Sequence, residues 1–364
     1  MDDFDRQVVC IAGLPFDVVD MAGAVARVRE AAACREPCFL STPNLNFLIG
    51  CLGDAAFRAS VIHSDLNIAD GMPLVWMARL LDTPVRERVA GSGLFEVLRG
   101  EKSVDGALKL YFFGGPDGVA EQACRVLNAE FSGLRCEGFD CPGFGSVENM
   151  SSDATIARIN ASGADFLVVA LGARKGQAWI EHNRCRITVP VISHLGAVVN
   201  FVAGTVSRAP GWMQRSGLEW LWRIKEEPAL WKRYWLDGIA LTGLLTARIV
   251  PYALWRRLRR PRNDAGGFSV SLVPQPDGVL RLVVAGTAPD SLPEDVRETL
   301  RAAAAAKRPL VLDFAQVTCL SPAFSGLLLM LKKQQDSCGL PLHCEAVMPA
   351  LRRHFFWNGI DYLL

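Results

Sequence analysis

As far as residue 204, apolar residues come in short runs separated by longer stretches with helical spacing. The runs predict strands at Val8–Ala12, Cys38–Ser41, Leu66–Ala69, Leu108–Phe113, Phe166–Ala170 and Val189–Ser193. Buried strands and helix fragments share such runs, and β-branched content with Gly or Pro flanks decides for strand. The intervening spacing predicts helices at Met21–Ala33, Asn46–His63, Gly118–Phe131, Asp153–Ala161 and Gln177–Asn183. Strands alternating with helices predict a mostly parallel sheet covered on both faces.

The pattern changes over residues 205–262. Twelve basic residues stand there against Glu219, Glu226, Glu227 and Asp237, so the segment carries +8. The whole chain carries only +1, which leaves −7 elsewhere. Six of the nine Trp also fall here. Cations mixed with indoles suit a membrane–water interface rich in anionic lipid. A helical extension that packs its Trp inward is the other reading. The most apolar run, Leu236–Trp255, is about the minimum length for a bilayer span. Asp237, Arg248 and Pro251 interrupt it, which favours a monotopic or re-entrant anchor over a true span. The Arg256–Arg262 cluster would then face lipid phosphates. With no base-reading motif beside it, a nucleic-acid partner is not expected.

Residues 263–266 read as a linker, and a second small α/β domain follows over 267–364. Its expected strands are Phe268–Val273, Val279–Ala285 and Pro309–Phe314. Its expected helices are Pro293–Ala306, Ser325–Ser337 and Met348–Trp357. Three domains are therefore expected, at 1–204, 205–262 and 267–364.

Composition narrows the chemistry. Half of the 364 residues are hydrophobic and 21% are charged, as in a globular protein with a substantial core. The 11 cysteines are scattered without a C-x-x-C pair, which reads as reduced thiols in a cytosolic protein. The acidic start Met1–Asp5 has no apolar run, so no secretory leader is expected. Scattered His and a D-x-D found only at Asp3–Asp5 predict neither a metal nor a cofactor. No G-x-G-x-x-G, G-x-x-x-x-G-K-[ST] or G-x-S-x-G motif occurs, which argues against NAD, ATP and Ser–His–Asp chemistry.

In an open parallel sheet, ligands bind beyond the carboxyl ends of the strands. Five loops would converge there: Thr42–Asn44, Asp70–Gly71, Gly114–Gly118, Leu171–Gly172 and His194–Gly196. The glycines of Gly114–Gly118 could let backbone N–H groups approach a phosphate, or simply make a tight turn. Asp70 could take a proton from a hydroxyl nucleophile, or cap the helix starting near Met72. Thr42 and Asn44 could orient a substrate, or form a turn around Pro43.

Residues 42–96 contain T-P-N-L-N-F, then S-D-L-N-I-A-D-G-M-P-L-V-W, then R-E-R-V-A-G-S-G-L-F-E. Further on come Leu110–Val119 (L-Y-F-F-G-G-P-D-G-V), Val168–Trp179 (V-V-A-L-G-A-R-K-G-Q-A-W) and Phe201–Arg223 (F-V-A-G-T-V-S-R-A-P-G-W-M-Q-R-S-G-L-E-W-L-W-R). Together, over about residues 8–235, these motifs resemble the WecG/TagA/CpsF glycosyltransferases, glycosyltransferase family 26. The resemblance implies a Rossmann-like catalytic domain with a basic membrane-associating appendage. It implies metal-independent, inverting transfer from a UDP-sugar to a polyprenyl-diphosphate-linked acceptor, in cell-surface polysaccharide synthesis at the cytoplasmic membrane face. It also implies that Asp70 is the general base and that Thr42 and Asn44 line the same pocket. Gly114 and Gly115 would belong to the nucleotide loop. Arg88, Gln177 and Asn200 would contact substrate. Arg215 and Arg223 would neutralise the leaving diphosphate. Two positions depart from the family pattern: Arg174–Gln177 replaces P-K-Q-E, and Asn200 replaces Asp.

The run Leu310–Leu331 (L-V-L-D-F-A-Q-V-T-C-L-S-P-A-F-S-G-L-L-L-M-L) is similar to a STAS domain, which implies a docking or regulatory module for a protein partner. That module's usual D-S-[ST]-G becomes Ala323-Phe324-Ser325-Gly326. Ser325 is thus either a phosphorylation site that has lost its acidic neighbour or the N-cap of the next helix. A membrane-associated scaffold acting through this module is the alternative to an active transferase.

Overall fold

The computed structural model describes residues 2–101, 106–130, 132–258, 267–276 and 278–364. The linker expected at 263–266, Phe131, and Arg259, Arg260 and Arg262 of the basic cluster lie outside the described residues. The chain forms two compact units, one of residues 1–18, 73–86 and 239–364, the other of 19–72 and 87–238.

The first strands are β1 (Val8–Ile11) and β2 (Leu14–Asp17), paired antiparallel with each other. The run at Val8–Ala12 is therefore a strand outside the large sheet. Its turn residues Ala12 and Gly13 both have positive φ, 48° and 90°, so the chain reverses at once into β2.

The 19–72/87–238 unit follows the alternating pattern. Along the chain come α1 (Met21–Cys34), β3 (Cys38–Ser41), α2 (Leu45–Gly53), α3 (Ala55–Ile62) and β4 (Leu66–Asn67), and after them α4 (Met72–Leu80), which from Pro73 onward belongs to the other unit. Then come α5 (Gly91–Gly100), β5 (Leu108–Gly114), α6 (Val119–Ala129), β6 (Leu134–Asp140), α7 (Asp153–Ala161), β7 (Phe166–Ala170), α8 (Ala173–Asn183), β8 (Val191–His194) and α9 (Val198–Ala203). The helix expected over Asn46–His63 is two helices, because extended Asp54 ends α2 and its carboxylate caps α3 at Phe57 N–H, 3.0 Å away. Strand β6 escaped the pattern because it is half polar, as an edge strand can be.

The six strands pair all-parallel in the order β4-β3-β8-β7-β5-β6. Both faces are buried. Leu110, Phe112 and Val168 pack into one apolar cluster, and Tyr111, Phe113 and Val169 into the other. On the second face Phe113 stacks on Trp179 of α8 at 4.2 Å. A disulfide joins Cys124 on α6 to Cys136 on β6, an exception to the reading of scattered reduced thiols. Helix α6 lies along its neighbouring strand, which brings the two Cα atoms to 5.1 Å.

Beyond α9 come α10 (Gly211–Ser216), α11 (Glu219–Glu226), α12 (Trp231–Leu244), a π-turn at Leu245–Ile249, and α13 (Val250–Leu258). Pro228–Leu258 is long and apolar enough to cross a membrane by length and composition, and 22% of its most apolar window is buried. Trp212, Trp220, Trp231 and Trp235 are exposed.

The other unit contains β9 (Ser269–Pro274), β10 (Leu280–Thr287), α14 (Glu294–Ala305), β11 (Leu310–Cys319), α15 (Pro322–Ser337), β12 (Leu342–Glu345) and α16 (Pro349–Asn358). Its sheet runs β12-β11-β10-β9, with only β9 antiparallel to its neighbour. Hairpin β1–β2 lies on α15. A Cβ at Gly326 would stand 2.6 Å from the Val8 carbonyl oxygen, so only glycine admits the strand there. Ser321, not Ser325, is the N-cap of α15, accepting from Phe324 N–H at 3.1 Å. Ser325 lies one turn into the helix and is fully buried, so its hydroxyl is closed to a kinase in this form.

A buried ionic cluster fixes the hairpin. Arg6 donates to Asp3 at 2.7 Å and to Asp17 at 2.7 Å, and Lys333 of α15 donates to Asp3 at 2.9 Å. Burial would raise the Asp3 carboxyl, but Lys333 and Arg6 together hold it below its ordinary value. A depressed carboxylate stabilises the fold above its unfolded pKa and loses that effect as pH falls through the folded one. Asp3→Asn should therefore cost about 3–5 kcal/mol at neutral pH, with a penalty that shrinks below about pH 4. Denaturation midpoints of both proteins across that range check this. A gap independent of pH would remove the ionic explanation.

Candidate active site

The loops at the carboxyl ends of β3, β4 and β5 carry Thr42, Asn44, Asp70, Gly114 and Gly115, half of the site residues singled out in the sequence. The connections after β5 and β7 leave in opposite directions, to β6 and to β8, and a crevice is expected between such neighbours.

Asp70 follows β4 and is held from three sides. Its backbone N–H donates to the Pro43 carbonyl at 2.9 Å, which places it against the loop after β3. Its Oδ1 accepts from Arg88 Nη2 at 3.0 Å and Nε at 3.3 Å. Its Oδ2 accepts from Gly91 N–H, the first amide of α5, at 3.3 Å. The carboxylate thus serves a loop arginine and the start of α5, which departs from the capping alternative. Burial pushes its pKa above the ordinary carboxylate range. Arg88 opposes that rise, and Glu219 adds to it. A desolvated carboxylate that remains 20% exposed at a strand end can accept a proton from a substrate hydroxyl.

Arg88 also donates through Nη1 to Glu219 Oε2 at 2.7 Å. Glu219 opens α11, and the turn before it needs Gly217, whose φ is +76°. A Cβ there would approach Met72 Cγ to 2.7 Å. Sequence reading passed over Glu219. Its one signal is an acid at the head of an otherwise basic, Trp-rich helix.

Thr42 is buried, and its methyl lies against Gly91. Asn44 is the N-cap of α2, its Oδ1 accepting from Phe47 N–H at 3.1 Å. The Asn44 oxygen is thus taken up by a helix cap rather than by a turn around Pro43. Two residues on, Asn46 Nδ2 lies 3.3 Å from both oxygens of Asp237, which is buried on α12. Asp237, expected to spoil an apolar run, is therefore paired on the protein.

Gly114 and Gly115 have φ of 97° and 91°. A Cβ on Gly114 would stand 2.8 Å from the Ala170 oxygen. Gly115 N–H donates to that same oxygen at 2.9 Å, so it is already paired and not directed at a phosphate. The close approach of β5 to the end of β7 accounts for Gly114, and the positive φ accounts for Gly115.

Gln177 on α8 is fully buried and donates through Nε2 to Ser41 Oγ at 2.7 Å. Its Oε1 has no partner among the described residues. The preceding Gly176 leaves room for His194: a Cβ there would lie 2.3 Å from the imidazole Cδ2. Burial pushes His194 down to about 4, so it is neutral at physiological pH. The departure at position 176 is thus sterically matched by a histidine that the sequence analysis did not single out.

Asn200 lies on α9, where its neighbour Val199 would stand 3.3 Å from a Cβ on Gly115. Arg223 on α11 places its guanidinium 5.8 Å from the Phe201 ring centroid and pairs with Glu227 at 3.3 Å. Arg215 falls on α10, but its side chain lies outside those described. Among the described residues no three of His, Cys, Asp and Glu gather as metal ligands.

Gly91 is closely enclosed. A Cβ there would meet Leu195 Cδ2 at 2.6 Å and Thr42 Cγ2 at 2.8 Å. Gly91→Ala should displace its amide from Asp70 and reduce kcat/KM by roughly tenfold or more, about the worth of one charge-assisted hydrogen bond. Unchanged kcat/KM would show that this amide does not matter to Asp70.

The family model described as "Glycosyl transferase WecG/TagA/CpsF family" matches residues 9–254. An N-acetylglucosaminyldiphosphoundecaprenol N-acetyl-beta-D-mannosaminyltransferase of Bacillus spizizenii is 27% identical over 54% of this chain and 74% of its own length. The protein of that name from Bacillus subtilis is 28% identical over 53% of this chain and 73% of its own. Among solved structures, a GTP-binding protein of Sulfolobus solfataricus with GDP aligns with 9% identity and a TM-score of 0.20, over 70% of this chain and 88% of that one. That likeness bears on neither fold nor function. The match over residues 9–254 establishes that this chain is a glycosyltransferase belonging to the WecG/TagA/CpsF family.

Proposed function

We propose that the protein transfers a sugar from a UDP-sugar, with inversion and without a metal, to a sugar hydroxyl on a polyprenyl diphosphate. The observation that carries this reading is a desolvated Asp70 carboxylate at the rim of the parallel sheet. In the reaction, the acceptor O–H proton passes to Asp70. The freed oxygen forms a bond to the anomeric carbon, and the bond from that carbon to the diphosphate breaks. UDP leaves with the electron pair. Arg215 and Arg223 supply positive charge where that leaving group develops its own charge. Thr42, Asn44, Arg88, Gln177 and Asn200 orient the two substrates, and the Gly114–Gly115 turn bounds the nucleotide side. The relatives' names suggest N-acetylglucosaminyl-diphosphoundecaprenol as acceptor and N-acetylmannosamine as the transferred sugar.

Residues 1–204 would form the catalytic domain and 205–262 an appendage resting on the cytoplasmic membrane face. The exposed Trp212, Trp220, Trp231 and Trp235 support that placement, because indoles favour the headgroup level. Residues 267–364 would be a STAS-like module for a protein partner, supported by a four-stranded mixed sheet with three helices.

UDP release by the detergent-solubilised protein tests the activity, with UDP-N-acetylmannosamine among a panel of UDP-sugars. Acceptor-dependent release should fall at least about 10²-fold in Asp70→Asn. Wild-type turnover in that variant would end the base assignment. No release from any donor, with UDP failing to raise the melting temperature, would favour a scaffold acting through the C-terminal module. Sedimentation with anionic vesicles tests the appendage. Trp231→Ser with Trp235→Ser should weaken binding more than about tenfold, since each buried indole contributes at least about 1.5 kcal/mol. Equal binding would refute the interfacial placement.

A further inference from the structure

Arg88 stands between two carboxylates. Its Nη2 and Nε reach one oxygen of Asp70 at 3.0 and 3.3 Å, while Nη1 reaches Glu219 at the shorter 2.7 Å. All three side chains are about four-fifths buried, with exposures of 18–20%. A carboxylate that holds an arginine alone is a poor proton acceptor, because the cation favours its charged form. A second carboxylate on the same guanidinium takes part of that charge and adds a repulsive one of its own.

We infer that Glu219 is a positioning residue: by sharing Arg88, it keeps Asp70 basic enough to take the acceptor's proton. This rests on the reading of Asp70 as the base. The other groups around Asp70 leave the electrostatic role to this pair. The loop after β3 presents uncharged Thr42 and Asn44, and α4 begins with Met72. The first turn of α5 contributes the Gly91 amide, and beside it Arg208 is held on Ser92 Oγ at 3.3 Å. Burial and Glu219 both raise the Asp70 carboxyl, against Arg88.

The test is the pH profile of kcat/KM for wild type, Glu219→Gln, Glu219→Asp and Asp70→Asn. UDP-N-acetylmannosamine and N-acetylglucosaminyl-diphosphoundecaprenol serve as substrates. Glutamine can still accept from Arg88, so Glu219→Gln removes charge and retains the contact. Without that charge Arg88 acts on Asp70 alone, and Asp70 stays ionised to lower pH. The acid limb should shift down by about half a unit to one unit, and the plateau should fall several-fold. Glu219→Asp should restore the wild-type limb. A Glu219→Gln limb that is unmoved or shifted up, with Asp70→Asn inactive, would overturn the inference and leave the base intact. Wild-type turnover in Asp70→Asn would instead remove the base reading, and the inference with it. Titration of the Asp70 carboxyl ¹³C resonance, assigned by its loss in Asp70→Asn, reads the same shift without turnover. An unchanged titration in Glu219→Gln likewise overturns the proposal.

Discussion

A guanidinium has five N–H donors and one charge, and Arg88 divides both between Asp70 and Glu219. The division ties together segments far apart in sequence: the loop after β4, the stretch before α5 and the head of α11. None of the three side chains could be buried alone, because an unpaired charge taken from water costs several kcal/mol. Together they form a compact group with net charge −1, in which burial and the second carboxylate raise Asp70 against the hold of Arg88. The same packing that holds α11 in place therefore bears on the acidity of the site.

Steric tightness sets the remaining geometry. Gly91, Gly114, Gly176 and Gly217 each sit where a Cβ would fall within 3 Å of a neighbouring atom. At Gly91 and Gly217 the crowding bears on the ionic group, since one offers its amide to Asp70 and the other turns the chain toward Glu219. At Gly176 it admits a neutral, buried imidazole. Glycines in such motifs invite a nucleotide-loop interpretation. Here the Gly115 amide is already bonded to Ala170, close strand approach requires glycine at 114, and a positive φ favours it at 115. A phosphate held in this loop would have to rely on other amides or on side-chain cations.

Much of this was readable from the residues, because a parallel sheet writes itself as short apolar runs alternating with amphipathic helices. The runs at Cys38, Leu108, Phe166 and Val189 became central strands, and the rule for strand ends pointed to Asp70. What was not readable depended on contacts between distant segments. Val8–Ala12 has the composition of a sheet strand, but its partner was decided by a two-residue turn. Ser325 matched the position of a modifiable residue, yet Ser321 caps the helix and strand β1 covers the next turn. Glu219 looked like one acid in a basic segment, because sequence spacing shows no ion pair across 131 positions. The family resemblance supplied a role for Arg88 but not its second partner.

The apolar segment shows the same logic applied to charge. Asp237, Arg248 and Pro251 argue against a simple membrane span when counted along the chain. Each has a local account. Asp237 is paired with Asn46. Arg248 donates to the Phe356 carbonyl at 2.8 Å and to Asp361 at 3.0 Å. Pro251, which lacks an N–H, follows a π-turn that already breaks the regular helical ladder. Both charges thus have protein partners, while Trp231, Trp235, Leu236 and Ile239 on the same helix are exposed. With Asp237 and Arg248 held by protein groups, the apolar surface of this helix is what is left unpartnered. The charges that seem to disqualify the segment in a hydropathy count are the ones that fix it to the protein.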